Sequence, residues 1–280
     1  MSTKINHDIR SNNGQTIYLP PEMAGASGQG NLALPNVFSE SVSAGYPIGT
    51  RFVNGDRTYH YYYAGGTISY TLAAISNRGA FLKSWANSYD SSQPAGTNPY
   101  KMDGTSAGVP AANALAGGYL LVYVATAIGR FNMRVVSNTA AATASPYTTE
   151  LTLEQATPVV VAANTGSEVY ANPYANLQSS WGDSLAGDYC YFAGLPAINM
   201  TSTYWGWVLT WGPCFIVATS TATGGATYAR TLIFNADGSV APASERWGAA
   251  TSLAAQFAGV ALNLTTSGSG DQWMRLMLDP

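Results

Sequence analysis

The sequence predicts an all-β protein, with short antiparallel strands in sandwich- or barrel-like modules and an extended N-terminal arm. Three observations carry that prediction. β-branched and aromatic runs of roughly four to eight residues recur between Gly, Pro and Asn. An Asn-Gly dipeptide sits between two of these runs, the strongest short-range hairpin signal. Frequent turn residues leave no room for the strand–helix alternation of a βαβ fold.

Residues 1–44 read as the arm. Asn12-Asn13-Gly14, Pro20-Pro21, Gly25, Gly28, Gly30 and Pro35 interrupt every candidate element, because proline removes a donor and glycine costs ordering entropy. The segment nevertheless carries Ile17, Tyr18, Leu19, Met23, Leu32, Leu34, Val37 and Phe38. Apolar residues without periodicity imply ordering against another surface, and Tyr18, Leu19, Leu32, Leu34, Val37 and Phe38 are the expected partner contacts.

From Tyr46 the texture turns strand-like. Asn54-Gly55 separates Arg51-Phe-Val from Arg57-Thr-Tyr-His-Tyr-Tyr-Tyr63, which predicts a hairpin with a type I′ turn. Leu72, Ile75, Phe81, Leu82 and Trp85 give residues 71–88 some helical spacing, broken by Gly79, while 89–110 read as loop. Strands are expected at 118–124, 130–136, 150–153, 159–162 and 168–170. A Gly/Ser/Pro-rich stretch over 172–187 marks a domain join, so a β domain at 45–175 and a C-terminal β domain at 176–280 follow. Beyond the join, strands are expected at 204–211, 213–217, 228–234, 257–264 and 273–278, with a helical turn or two over 244–257.

Composition narrows the function classes. Only 10% of the 280 residues are charged, against about 25% in ordinary globular proteins. A surface covered instead by Ser, Thr, Asn and Gly suits a protein packed against neighbours. The net charge is −3 with no basic stripe, which argues against nucleic acid as a partner. The longest apolar run, Gly117 to Ile128, falls short of the ~20 residues that span a bilayer. The polar start, Met1-Ser-Thr-Lys-Ile-Asn-His, lacks a secretory pattern, so synthesis in a cytoplasm is expected. Cys190 and Cys214 are too few for a disulfide framework and are read as free core thiols.

Catalytic patterns give little. His60 lies between Tyr59 and Tyr61 with no Gly-x-Ser-x-Gly elbow, phosphate loop or His-Glu-x-x-His motif in the chain. It reads as a structural strand histidine, and no catalytic, cofactor-binding or metal residue is expected. Asp56, Asp103 and Asp237 sit beside turn glycines or follow one. Glu150 and Glu154 flank a short strand on one face and read as a solvated edge rather than a glycosidase pair. Trp205, Trp207 and Trp211 share one strand parity with Leu209. Alternation along a strand puts them on one face, as core or interface aromatics in preference to a sugar-stacking platform.

Three stretches, in order, resemble the capsid decoration (cement, head auxiliary) proteins of tailed bacteriophages. The first is Tyr46-Pro-Ile-Gly-Thr-Arg-Phe-Val-Asn-Gly-Asp-Arg-Thr-Tyr-His-Tyr. The second is Asn113-Ala-Leu-Ala-Gly-Gly-Tyr-Leu-Leu-Val, followed by Arg134-Val-Val-Ser-Asn and Asn172-Pro-Tyr. The third is Tyr204-Trp-Gly-Trp-Val-Leu-Thr-Trp-Gly-Pro, with a late Phe257-Ala-Gly-Val-Ala-Leu segment. Residues 71–110 and Leu209 depart from the pattern. The resemblance implies a structural virion protein, not an enzyme and without cofactor. Its expected partners are the major capsid protein on the capsid exterior and further copies of itself, as a homotrimer, with neither nucleic acid nor membrane. The alternative is a fibre-associated or receptor-binding β protein that recognises host glycans. A secreted glycan hydrolase, marked by paired buried carboxylates, is a third reading.

Overall fold

The computed structural model describes residues 8–12, 14–19, 35–76, 91–103, 110–123, 130–144, 147–179, 191–218, 230–235, 237–243, 256–263 and 271–280. The protein is all-β, with seventeen strands among the described residues, paired antiparallel into two sheets. Contacts divide the chain into two units: Met1–Asn77 together with Asn176–Pro280, and Arg78–Ala175 inserted between them in sequence.

The first unit is built on β1 (Asp8–Asn12), β2 (Gln15–Leu19), β3 (Arg51–Asn54), β4 (Arg57–Tyr63), β5 (Ala74–Ser76), β11 (Leu177–Ser179), β12 (Phe192–Pro196), β13 (Trp205–Val217), β14 (Thr231–Phe234), β15 (Val240–Pro242), β16 (Phe257–Ala261) and β17 (Asp271–Met277). The second contains β6 (Pro99–Met102), β7 (Tyr119–Tyr123), β8 (Arg130–Asn138), β9 (Thr149–Leu153) and β10 (Ser167–Tyr170). The main path of the first sheet runs β1-β2-β3-β4-β13-β17-β16-β14-β15, and β12 joins β13 to β5 and β11. β4 is bonded to β13 and carries β3 on its other edge, so residues 45–77 fold with the C-terminal half. Two consecutive β domains, 45–175 and 176–280, do not describe that pairing. The composition break near 175 marks one end of an insertion.

The first unit's core forms because β4 is buried from Thr58 to Tyr62. Its tyrosines alternate across both faces, so neither face is left to water. Phe52, Tyr59, Tyr61, Trp207, Leu209, Ile216, Leu232, Met274 and Leu276 fill one cluster. The segment expected as an arm takes part in it: β1 and β2 form a hairpin on the edge of β3, Ile17 lies opposite Phe52, and Ile17 is 2% exposed. Ile17 is buried between half-buried Thr16 and Tyr18, and the surrounding glycines and prolines obscure this strand in sequence. Residues 1–7, 13 and 20–34 lie outside the described residues.

The β3–β4 hairpin differs from the expected type. Asn54 pairs with Arg57, leaving Gly55 and Asp56 as the loop. Gly55 has φ +60° while Asp56 stays negative. A glycine at the first central position is the type II′ signature, so the Asn-Gly pair does not occupy the centre of a type I′ turn.

The second unit's sheet runs β10-β7-β8-β9-β6. Its strands alternate more simply, and Tyr100, Met102, Leu120, Val122, Val135, Leu151, Leu153 and Val169 point into one core. Buried Asn138 fixes the loop that covers it: its amide donates to the Ala111 and Thr139 carbonyls at 2.9 and 2.8 Å and accepts from Leu115 N–H at 2.9 Å. β6 falls inside the stretch expected as loop, and 159–162 supply only an isolated bridge, Gln93 to Val161. The helical spacing over 71–88 gives strand at 74–76; residues 77–88, and most of the expected turn at 244–257, lie outside the described residues.

The feature that organises β13 is a bulge. Leu209 pairs with Tyr59 and Trp211 with Thr58, so Thr210 is the extra residue. Gly212 follows at φ +114°, and a Cβ there would lie 2.6 Å from the Asp56 carbonyl oxygen. Both the backbone conformation and the close approach require glycine. Gly212→Ala is expected to lower stability by about 1–3 kcal/mol, measured by urea unfolding. A midpoint equal to that of the parent would show that the bulge relaxes freely.

Candidate interaction surface

The bulge changes which residues of β13 face the core. Before it, Trp207 and Leu209 belong to the core cluster; after it, Cys214, Ile216 and Ala218 do. One extra residue moves every later side chain to the opposite face. Trp205, Trp207 and Trp211 therefore do not share a face as the unbroken parity predicted.

Trp205 and Trp207 are packed inward. Trp207 is 4% exposed, with ring centroids of Tyr46, Tyr61 and Phe52 at 5.1, 5.1 and 5.6 Å. Trp205 lies 4.9 Å from Tyr63 and 5.9 Å from Tyr61. These are edge and tilted geometries for the most part, the arrangement that ring quadrupoles favour. Such packing suits a core and leaves Trp207 unavailable to a sugar.

Trp211 belongs to the other, outward face. There the β13–β17 register sets Trp211 opposite Met277 and Phe215 opposite Trp273. Phe215 is 59% exposed and its ring centroid is 4.5 Å from that of Trp273. Leu262, 47% exposed, is tied to Trp273 through its backbone N–H at 2.9 Å. Arg275 is exposed between these apolar residues, opposite Pro213. A sheet face with Phe215 and Leu262 exposed beside half-buried Trp211, Trp273 and Met277 is the kind of patch that marks an interaction site. Sequence reasoning missed Phe215 and Trp273. The available signal was Thr210-Trp-Gly-Pro213, where mid-strand glycine and proline announce a bulge.

The residues expected as partner contacts in the arm are scattered. Val37 is 5% exposed inside the chain's own core and is not available to a partner; Phe38 beside it is 65% exposed. Tyr18 is half-buried, with the Arg51 guanidinium 4.9 Å from its ring centroid. Leu19 lies on β2. Leu32 and Leu34 fall outside the described residues.

His60 occupies the junction of β4, the bulge and the end of β17. Its Nδ1 is 3.1 Å from Thr210 Oγ1, and its Nε2 is 3.6 Å from Asp279 Oδ2. Thr210 hydroxyl donates to the Asp279 carbonyl, and the Thr210 carbonyl accepts from Leu278 and Asp279 N–H at 3.0 and 3.3 Å. A hydroxyl, an imidazole and a carboxylate in this order suggest a nucleophilic triad. Thr210, however, is fully buried, so its hydroxyl is spent on the chain's own carbonyl with no approach for a substrate. The structural reading of His60 fits this geometry. Among the carboxylates, Asp103 accepts from Thr148 Oγ1 at 2.6 Å, Asp237 caps its own turn through Ser239 N–H at 3.0 Å, and Glu150 faces Lys101 at 3.8 Å. Among the described residues no cluster of three His, Cys, Asp or Glu is placed to hold a metal ion, and no helix is long and apolar enough to cross a membrane. Cys214 is a buried free thiol; Cys190 lies outside the described residues.

Burial pushes the His60 pKa down to about 4, partly opposed by Asp279 and reinforced by Arg51. Its folded value lies below the unfolded value near 6.5, so the folded state binds fewer protons between the two. The stability it contributes is full above pH 6.5, is lost as pH falls towards 4, and levels off below. The loss is on the order of 3 kcal/mol. His60→Gln removes this titration, so its melting temperature should fall less steeply than the parent's between pH 6.5 and 4. Parallel curves for the two proteins would place the acid sensitivity elsewhere.

Comparison with protein-family models, with curated proteins and with solved structures finds no match to this chain.

Proposed function

We propose that the chain is a structural virion protein, a capsid decoration or cement protein that binds the outer surface of a phage head and stabilises it. The ordered resemblance of its three sequence stretches supports this reading, as does a charge content of only 10%. The observation that carries it furthest is the outward apolar face of β13 and β17, with Phe215 and Trp273 at its centre. A rigid sheet presents these rings at little entropic cost. The occupant of that face in this reading is the major capsid protein, and Phe38 on the same chain is an additional exposed contact. Association as a homotrimer repeats the surface three times, and linked attachment raises the effective concentration of each remaining contact. Assembly follows synthesis in the host cytoplasm, and no catalytic step is part of the role.

The burial of Ile17 and Val37 also alters how the arm is understood. These two residues serve the chain's own fold, so deleting residues 1–40 would remove the β1–β2 hairpin and part of the core along with any anchor. A point substitution on the outward face separates the two effects. Mixed with expanded capsids that lack it, the parent protein should co-sediment saturably at a fixed copy ratio, and light scattering should give three times the chain mass. Phe215→Asp should reduce occupancy at least tenfold with an unchanged circular dichroism spectrum. Failure of the parent to co-sediment at any concentration would overturn the assignment.

A further inference from the structure

The second unit carries a different surface on the face of its sheet opposite the core. Leu120, Val122, Val135 and Val169 point inward, so the residues alternating with them point out. The register arranges those in three rows. Tyr170 stands opposite Tyr119, and Tyr119 opposite Arg134. Glu168 stands opposite Leu121, and Leu121 opposite Asn132. Tyr123 stands opposite Arg130. Successive rows are two residues apart, about 7 Å along the strands.

Several of these side chains are held in place. Tyr170 hydroxyl donates to Glu168 Oε2 at 2.6 Å, and the Arg130 guanidinium lies 4.9 Å from the Tyr123 ring centroid. Tyr119 is 49% exposed. At its end of the face a cleft of about 200 Å³ is lined by Tyr119, Asn132, Met133, Arg134, Glu154 and Gln155. The Glu154 N–H donates to the Arg134 carbonyl at 3.0 Å, which holds the cleft wall to β8.

We propose that the β10-β7-β8 face binds a neutral oligosaccharide, with one sugar ring in the cleft beside Tyr119 and the rest of the chain lying across the tyrosine rows. The chemistry of the face selects that ligand class. Tyrosine rings offer flat apolar surfaces to the C–H face of a pyranose and lose little rotamer freedom in doing so. Guanidinium, amide and carboxylate groups offer planar pairs of donors and acceptors to neighbouring hydroxyls. Arg130 and Arg134 are balanced by Glu154 and Glu168, so the face has no net charge to attract a phosphate backbone or an acidic sugar. The cleft is smaller than the about 300–1,000 Å³ that encloses a drug-sized ligand, which suits one ring of an extended chain. This face lies wholly within residues 119–170, and the inference does not depend on the capsid reading.

The test uses the full chain on an array of neutral and acidic oligosaccharides, followed by calorimetry with the best-retained neutral chain. Retention of at least one neutral oligosaccharide is expected, with Tyr119→Ala weakening it at least tenfold. Asn132→Ala should weaken it less, and Tyr70→Ala, at an exposed tyrosine of the first unit, should bind as the parent does. Retention of acidic chains alone, absence of any retention, or equal affinity of Tyr119→Ala and the parent would overturn the proposal.

Discussion

One extra residue in β13 decides what the first unit buries and what it shows. β13 is hydrogen-bonded to β4, β12 and β17, so its phase is imposed on the strands that continue from it. Unbroken alternation from Trp207 would turn Cys214 and Ile216 outward and Phe215 inward. With Thr210 bulged, Cys214 and Ile216 complete the core and the aromatic residues of the second half face outward. Such an insertion leaves polar groups to be satisfied. Here the Thr210 carbonyl receives the N–H groups of Leu278 and Asp279, while its hydroxyl bonds the Asp279 carbonyl. The bulge and the chain's C-terminal strand end are thus mutually dependent, and buried His60 seals them from β4.

This arrangement separates two kinds of aromatic surface. The rings around Trp207 make contact with one another and confer rigidity. Phe215 and Trp273 pack against each other, with Phe215 exposed and Trp273 half-buried. The first set explains how a chain with few charges and many tyrosines holds a single register, since large rings on neighbouring strands tolerate no slip. The second set is what an assembling surface requires: apolar area already ordered before a partner arrives. The tyrosine rows of the second unit differ again, because they alternate with arginine, asparagine and glutamate.

Much of the fold was legible because alternation and turn chemistry are local. β7, β8, β9, β13, β14, β16 and β17 fall where β-branched and aromatic runs placed them. What stayed hidden depends on partners distant in sequence. The short strands β5 and β11 gain their hydrogen bonds from neighbours that no window of the sequence contains. β2 was obscured by the glycines and prolines around it and by three consecutive apolar residues, Ile17 to Leu19, that show no alternation. Two consecutive β domains were expected because a composition break shows where one segment ends and not which earlier strands return to pair. The outward aromatic face was concealed by parity: counting by twos from Trp205 is correct only until Thr210.

The account rests on the outward face of β13 and β17 being the surface that assembly covers. Thiol labelling of Phe215→Cys, with Cys190 replaced by serine, measures this most directly. Burial pushes the native Cys214 thiol up to about 12, so Cys214 contributes little signal at neutral pH. The account predicts rapid maleimide reaction of residue 215 in the free protein and strong protection once the protein is bound to capsids. Equal reaction rates in the free and bound states would contradict it.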